Sequence, residues 1–441
     1  MKNLFRKTKS PCPVCKKILE ADIIEENGSM FLQKKCPKHG DFEVKIAKYA
    51  WYYKGLNNYY DNIFGANFSE KRQCIIYTSI TGWKCNLNCP ICYTPPSEKI
   101  EKVDIPISEF KKNLEAIKNK RKTIHLSGGG EPTMRDDLPE IIRLISESGN
   151  TVGLFTNGVK IANDLNYLKQ LKKSGLNYIL LWLDTLKNEE IHRKLRGGDF
   201  IPLKMKVLEY MKKEKVAGVI FQVLARGINE SEVPDFIEFI RRNEFIGGYW
   251  IRGYNYLGNF GLSPVQEYNA MDEIIELVAN QSRGLFSLED FYYWQKINYT
   301  LAVIGNCPRC YRAQTFFIPR HNEKSLRETF CFPKFSSVLD EFEKIWLEDK
   351  ERAKEYFLSK FYLKLFKNPK LFYLFRIRPR FSKFDWNGFF PPSKHYFLIQ
   401  INSIYSLLNL DIDRTKKECF HGSFNLGPEN NFPRCFELAE F

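Results

Sequence analysis

Between residues 75 and 253 the chain alternates short apolar runs with longer stretches whose apolar residues recur every three to four positions. The runs 75–81 (IIYTSIT), 122–127 (KTIHLS), 151–156 (TVGLFT), 177–183 (NYILLWL), 216–224 (VAGVIFQVL) and 248–253 (GYWIRG) read as buried strands. The intervening patterns, such as 137–148 (DLPEIIRLISES) closed by Gly149 and 162–174 closed by Gly175, read as helices with glycine stops. Buried strands alternating with helices predict a parallel sheet with right-handed crossovers. Six such units predict a partial (β/α)6 barrel, an α/β fold whose chemistry sits at the C-terminal ends of its strands.

Composition narrows the picture without directing it. The 441 residues, at roughly 100–200 per domain, suggest two to four domains and a core large enough to fold without disulfides. At 44% hydrophobic and 27% charged, the chain reads as globular rather than disordered, collagen-like or membrane-spanning. The N-terminal MKNLFRKTKSPCP has charge but no apolar h-region, so a secretory signal is not expected and the twelve cysteines are expected in a reducing cytoplasm. There, closely spaced cysteines mark metals or catalysis more often than disulfides. A net charge of +15 is compatible with nucleic acid, an anionic membrane or an acidic ligand, and selects none of them.

The cysteines fall in groups. Cys12 and Cys15 are followed by Cys36 and His39; Cys74 stands alone; Cys85, Cys89 and Cys92 lie close together; Cys307, Cys310 and Cys331 come after a long gap; Cys419 and Cys435 lie near the end. The grouping divides the chain into a small metal-knuckle module with its linker (1–73), a strand–helix core (74–262) and an α-rich C-terminal region with its own site (263–441). Within the last, 356–398 holds nine Lys or Arg, one acid and fifteen aromatics, and so contributes +8 of the net charge. Its first part, YFLSKFYLKLFK, puts Phe357, Phe361, Lys364 and Leu365 at helical spacing.

Directly after the first predicted strand comes Cys85-Asn-Leu-Asn-Cys89-Pro-Ile-Cys92-Tyr. Such a CxxxCxxC loop supplies three thiolates, one short of the four that ordinarily hold a [4Fe–4S] cluster, and leaves one iron open to an external ligand. Three structural or zinc-binding thiols would also give the spacing. Gly128-Gly129-Gly130-Glu131-Pro132 follows the second strand, where glycines permit close backbone approach, although a plain tight turn would use them too. Thr156-Asn157-Gly158 follows the third strand, Asp184 the fourth and Asn229 the fifth; the last two are equally readable as helix caps.

In order and spacing, residues 74–260 resemble the radical S-adenosylmethionine (SAM) enzymes. The resemblance implies that Cys85, Cys89 and Cys92 carry a [4Fe–4S] cluster whose free iron chelates SAM. One electron then cleaves the sulfonium to methionine and a 5′-deoxyadenosyl radical, which abstracts hydrogen from substrate. It also implies that Gly128, Gly129, Gly130, Glu131, Thr156, Asn157, Asp184 and Asn229 help hold SAM, with Ile91 and Tyr93 beside the third cysteine. Many members carry an aromatic residue where this chain has Ile91; that position meets adenine largely through its backbone.

Two flanking sites complete the cysteine inventory. Cys12-Pro-Val-Cys15 and Cys36-Pro-Lys-His39-Gly form a knuckle pair matching a zinc-ribbon pattern, with rubredoxin-like iron as the other occupant and the histidine favouring zinc. Cys307, Cys310 and Cys331, with Cys419 or Cys435, are expected to hold an auxiliary [4Fe–4S] cluster rather than zinc; buried structural cysteines are the other alternative. The module order further resembles the tetraether lipid synthases and their relatives, including the C-terminal Asp413-Arg414-Thr415-Lys416-Lys417-Glu418-Cys419-Phe420-His421-Gly422 and Pro433-Arg434-Cys435-Phe436. Those enzymes carry a paired cysteine ahead of the radical loop, where this chain has Cys74 alone.

That likeness implies C–C bond formation on lipid chains, an electron donor of ferredoxin or flavodoxin type, and peripheral contact of the basic aromatic stretch with the inner face of the membrane. A packed helical segment with a solvated basic face would explain the same stretch. The competing readings are radical modification of a peptide or of a small metabolite such as a pterin, and RNA modification. Against RNA, the basic residues gather in an aromatic stretch that lacks a nucleic-acid-binding fingerprint.

Overall fold

A computed structural model describes residues 2–65, 75–81, 84–92, 104–115, 117–118, 122–127, 129–255, 261–305, 313–376, 393–402, 406, 408–418 and 422–423. The chain forms two compact units. One comprises Met1–Arg72, Tyr268–Gly388 and Ser393–Glu418, and the other Gln73–Glu267, Phe389–Pro392 and Cys419–Phe441. The N-terminal module and most of the C-terminal region therefore share a unit, into which the strand–helix core is inserted as a second one.

The first unit opens with an antiparallel meander of β1 (Asn3–Pro11), β2 (Ile18–Glu26), β3 (Ser29–Cys36) and β4 (Gly40–Ala47), in that order. Period-two burial on β2 and β3 places Leu19, Ala21, Ile23, Met30 and Leu32 on the covered face. The aromatic tail of the module is helix α1 (Ala50–Phe64).

In the second unit the six predicted strands are all present: β5 (Ile75–Ser79), β6 (Thr123–Ser127), β7 (Thr151–Thr156), β8 (Tyr178–Trp182), β9 (Ala217–Leu224) and β10 (Ile246–Gly253). They pair in parallel and in sequential order. Between them run α2 (Ile107–Glu115), α3 (Leu138–Glu147), α4 (Val159–Asn163), α5 (Leu165–Lys173), α6 (Glu189–Arg196), α7 (Ile201–Lys213) and, before β10, α8 (Val233–Arg242). When every strand is added on the same side through a right-handed crossover, all helices fall on one face. The sheet curls into the half-barrel that the sequence predicts, leaving its other face concave.

Alternate residues sort between those faces. Leu181 and Val207 of α7 both lie against Gly158, and Tyr249 stacks on Phe236 of α8 at 5.4 Å, so these look outward. Tyr77, His125, Phe155, Tyr178, Trp182, Phe221 and Trp250 share the concave face and pack edge-to-face or tilted. On the helical side, α3 buries Leu138, Ile141, Ile142 and Ile145 completely. At about 1.5–3 kcal/mol each, those side chains supply the driving force that offsets the entropy of ordering the helix. The helix predicted over 162–174 is two: Asp164 leaves helical geometry and its carboxylate accepts from Asn166 N and Tyr167 N, capping α5.

The first unit resumes with α9 (Met271–Gln281), α10 (Leu288–Ile304), β11 (Ala313–Pro319), α11 (Leu326–Phe330), α12 (Phe332–Glu348), α13 (Lys350–Phe366), α14 (Pro369–Arg376), β12 (Tyr396–Asn402) and α15 (Ile412–Glu418). β11 and β12 pair antiparallel. α1 docks on α10 so closely that a Cβ on Gly55 would lie 2.3 Å from Tyr292 Oη. Phe357, Phe361 and Leu365 of α13 are fully buried, stacking toward Phe330 and Phe342, so the helical pattern read at 356–367 packs inward and leaves Lys360 and Lys367 exposed. In the second unit a short β13 (Gly422–Ser423) pairs parallel with β5. Among the described residues no helix is long and apolar enough to cross a membrane.

Candidate active site and metal centre

The cysteine loop leaves the C-terminal end of β5, and backbone contacts fix its course. Cys92 N donates to Cys89 O (3.1 Å), Glu131 N to Lys84 O (2.8 Å) and Gly130 N to Thr81 Oγ1 (3.4 Å). The segment after β6 thus lies against the start of the loop. A Cβ on Gly130 would sit 1.8 Å from Lys84 O, which is why this position needs glycine. On the far side, Pro90 O accepts from Gly261 N at 3.1 Å, and Ile91 is buried with Ile191, Leu195, Val223, Ala225, Tyr254 and Leu262.

Glu131 is the hub of the strand ends. Its buried carboxylate accepts from Thr133 N (3.2 Å), Thr133 Oγ1 (2.7 Å), Thr156 Oγ1 (2.5 Å) and Asn157 N (2.7 Å), joining the ends of β6 and β7. Asn157 Nδ2 in turn donates to Asn86 Oδ1 inside the cysteine loop (2.7 Å), and Lys204 Nζ donates to Asn157 O.

The next two strand ends are joined in the same way. Asp184 is fully buried; it accepts from Val223 N (2.8 Å) and takes a bidentate pair from Arg196 Nε and Nη2 (2.5 and 3.1 Å). Asn229 accepts from Ala225 N (2.9 Å) and donates to Val223 O (2.8 Å) and Asp184 O (3.1 Å). Neither side chain caps a helix; Asn188 caps α6 instead, so that reading of Asp184 and Asn229 falls away.

The electrostatics around the loop are mixed. Burial pushes the Cys85 thiol up to about 11, reinforced by Glu131, Cys89 and Cys92. With its thiol pushed up, Cys85 needs a positive centre before its thiolate forms, which suits iron. A four-iron cubane is several ångströms across, so its cysteines need not converge as ligands of a single ion do. Burial lowers Lys204 to about 8, helped by Arg196. Burial also opposes the Arg196 charge, but Asp184 and Cys89 together hold its pKa above the ordinary value.

In the other unit the knuckles do converge. Cys12 Sγ lies 3.5 Å from His39 Nδ1, Cys36 Sγ 3.4 Å from the same nitrogen, and Cys15 Sγ 3.9 Å from Cys36 Sγ; all four ligand atoms fall within 4.8 Å. Metal–ligand bonds of about 2.3 Å to sulfur and about 2.0–2.1 Å to nitrogen separate tetrahedral ligand atoms by about 3.8 Å (S–S) and about 3.5 Å (S–N), which this group matches. Burial raises the Cys12 thiol, yet backbone N–H groups of Cys15 and Val14 bring it below its ordinary value; the Lys38 and His39 amides do the same for Cys36.

Compared with known proteins, residues 80–240 match the radical SAM superfamily and residues 4–48 the HMPTM N-terminal zinc ribbon domain. The chain carries a radical SAM domain. It also carries an N-terminal zinc ribbon domain. Among curated relatives, a 7,8-dihydro-6-hydroxymethylpterin dimethyltransferase of Methanocaldococcus jannaschii is 33% identical over 317 residues, 65% of this chain and 61% of that one. An Fe-coproporphyrin III synthase of Methanosarcina barkeri is 32% identical over 130 residues (30% and 31%). A GTP 3′,8-cyclase of Listeria welshimeri is 28% identical over 208 residues (44% and 58%). The chain thus spans less than two thirds of each relative. A radical SAM domain is a catalytic one, and these relatives are named as methyltransferase, synthase and cyclase.

The radical SAM domain brings Cys85, Cys89, Cys92, Gly130, Glu131, Thr156, Asn157, Asp184 and Asn229 to the C-terminal ends of β5–β9, with Gly129 and Ile91 in the same loops. Tyr93 and Gly128 lie outside the described residues, as do Cys74, Cys307, Cys310, Cys419, Cys435 and residues 377–392 of the basic aromatic stretch. Cys331 is described: it is exposed, with φ 52°, between α11 and α12. Sequence reading missed Asn86, Arg196 and Lys204. Arg196 stands immediately before Gly197-Gly198 at the end of the helix following Asp184, a signal available only once Asp184 is known to need a cation.

Proposed function

We propose that the protein is a radical SAM enzyme that holds a [4Fe–4S] cluster on Cys85, Cys89 and Cys92, cleaves SAM reductively and abstracts hydrogen from an unactivated C–H of its substrate. When bound, cluster and SAM together supply an electron and a carbon-centred radical. The chain's own residues do the rest. Gly130 and Glu131 back the loop, Asn157 ties it to β7 through Asn86, and Asp184 with Asn229 locks the ends of β8 and β9. The observation that carries this reading is the hydrogen-bonded closure of the cysteine loop onto Glu131 and Asn157. Anaerobic reconstitution should give a brown protein that forms 5′-deoxyadenosine from SAM and a strong reductant; Cys89→Ala should abolish it, and cleavage that survives overturns the proposal. A ferredoxin- or flavodoxin-type donor, zinc at the knuckle, and an auxiliary [4Fe–4S] cluster on Cys307, Cys310 and Cys331 with Cys419 or Cys435 belong to the same proposal.

As substrate we favour a reduced pterin or a related planar ring. The 33% identity to the pterin dimethyltransferase supports this, together with a concave face on which Arg252 stands 4.8 Å over the Phe221 ring. The second reading is C–C bond formation on lipid chains, with peripheral membrane contact. It draws support from the module order and from exposed Leu363 and Phe366 beside Lys360, Lys367 and Lys370, although Phe357, Phe361 and Leu365 pack inward. Comparing pterins and lipids from cells with and without the gene separates the two: altered pterins with unchanged lipids support the first, and the reverse supports the second.

A further inference from the structure

We infer that Arg196 sets the reduction potential of the cluster carried by Cys85, Cys89 and Cys92. The inference rests on the cluster-binding reading above and concerns a property that reading leaves open.

Arg196 ends α6, and its side chain is nearly buried. Three neighbours fix its guanidinium. Asp184 accepts from Nε and Nη2 (2.5 and 3.1 Å), the Cys89 sulfur lies within hydrogen-bond reach, and the Trp182 ring faces it at 5.2 Å. Asp184 cannot swing away, because its own Oδ1 is held by Val223 N at 2.8 Å. The helix end is pressed against the cysteine loop as well: Gly197 has φ 79°, and a Cβ there would lie 3.2 Å from Asn88 O.

A planar fork is what this arrangement needs. It meets a carboxylate on two nitrogens, keeps a further N–H for the sulfur and lays its face on an indole; an ammonium cannot do all three. Reducing a [4Fe–4S] cluster adds one electron and hence one negative charge, and no proton or leaving group moves. A nearly buried cation donating to one of the thiolates stabilises the reduced form, since hydrogen bonds to sulfur and local charge set such potentials. Asp184 opposes it from farther away, so the two residues act with opposite sign.

The test is an EPR-monitored redox titration of the reconstituted full-length protein without SAM, with iron content and visible absorbance recorded for every variant. In Arg196→Gln the ratio of reduced to oxidised cluster at a fixed potential should fall about tenfold, a midpoint about 59 mV more negative. Arg196→Lys should fall between that and wild type, and Asp184→Asn should move the midpoint upward. A purely structural role for Arg196 predicts no such opposite pair. Equal midpoints in wild type and Arg196→Gln at equal iron content overturn the inference. If Arg196→Gln loads no iron, an unchanged midpoint in both Arg196→Lys and Asp184→Asn overturns it instead. Failure of the wild type to hold a four-iron cluster counts against the proposed function, not against the assignment of Arg196.

Discussion

Replacing Glu131 by glutamine changes one atom and should loosen two strand ends. The carboxylate accepts from two backbone N–H groups, Thr133 and Asn157, and from two hydroxyls, Thr133 and Thr156. An amide has one oxygen. Whichever way it turns, one of the two backbone N–H groups faces another donor. An unsatisfied buried donor costs about 1–3 kcal/mol, and bonds to a charged acceptor, at about 1.5–3 kcal/mol each, become neutral ones at about 0.5–1.5. The sum is roughly 3–5 kcal/mol, and its lower end already corresponds to about a hundredfold in an opening equilibrium. Hydrogen exchange with mass spectrometry reads this directly. Peptides covering residues 130–135 and 154–160 should lose about a hundredfold in protection, while those covering α8 should not change. Protection within about threefold of wild type would mean that Glu131 does not hold the strand ends together.

Three further outcomes are expected. Gly130→Ala places a methyl where Lys84 O now lies 1.8 Å away, so the loop must shift at a cost of about 1–3 kcal/mol; iron bound after reconstitution should fall sharply, and full loading would contradict the close approach. Chelator treatment or Cys36→Ser should remove metal from the zinc ribbon and speed amide exchange over residues 3–47, because a site of this kind contributes its binding energy to folding; metal-free protein with native protection there would refute it. Burial raises Asp272 from 3.8 to about 6 while it accepts from Lys48 N and Tyr49 N. Between those values the folded state binds more protons than the unfolded one, so this group's contribution to stability falls by about 3 kcal/mol as pH rises from about 4 to about 6. Denaturant titrations of Asp272→Asn should lack that component, and an identical pH profile would exclude it.

The barrel was legible because strands buried on both faces read as continuous apolar runs bounded by glycine and polar residues, and all six runs became strands. Helix 162–174 was read as one because its periodicity survives the break at Asp164, where one carboxylate restarts the backbone. β1–β4 escaped notice because their half-buried alternation is diluted by lysines and glutamates. Only Tyr396, Phe397 and Leu398 of β12 fall in the basic aromatic stretch 356–398, and the remaining IQIN is too short to read as a strand by itself. Of the site, the residues carried on spaced motifs could be found. Arg196 and Lys204 could not, because a lysine or arginine on an amphipathic helix is ordinarily a solvated one, and only the fold turns these two inward.

The zinc ribbon is held to residues made long after it. Arg6 and Thr8 of β1 bind Asp411 just before α15, and Lys34 Nζ donates to Leu408 O. The Thr8–Asp411 contact spans 403 positions. At about 5–20 residues per second, a ribosome that has finished β1 needs roughly 20–80 s to deliver its partner. Until then the ribbon has only its own sheet, the neighbouring α1 and any metal held by Cys12, Cys15, Cys36 and His39, while the chain of the radical SAM domain emerges. A chain cut short before Asp411 would leave the earliest-made module without the contacts that complete it.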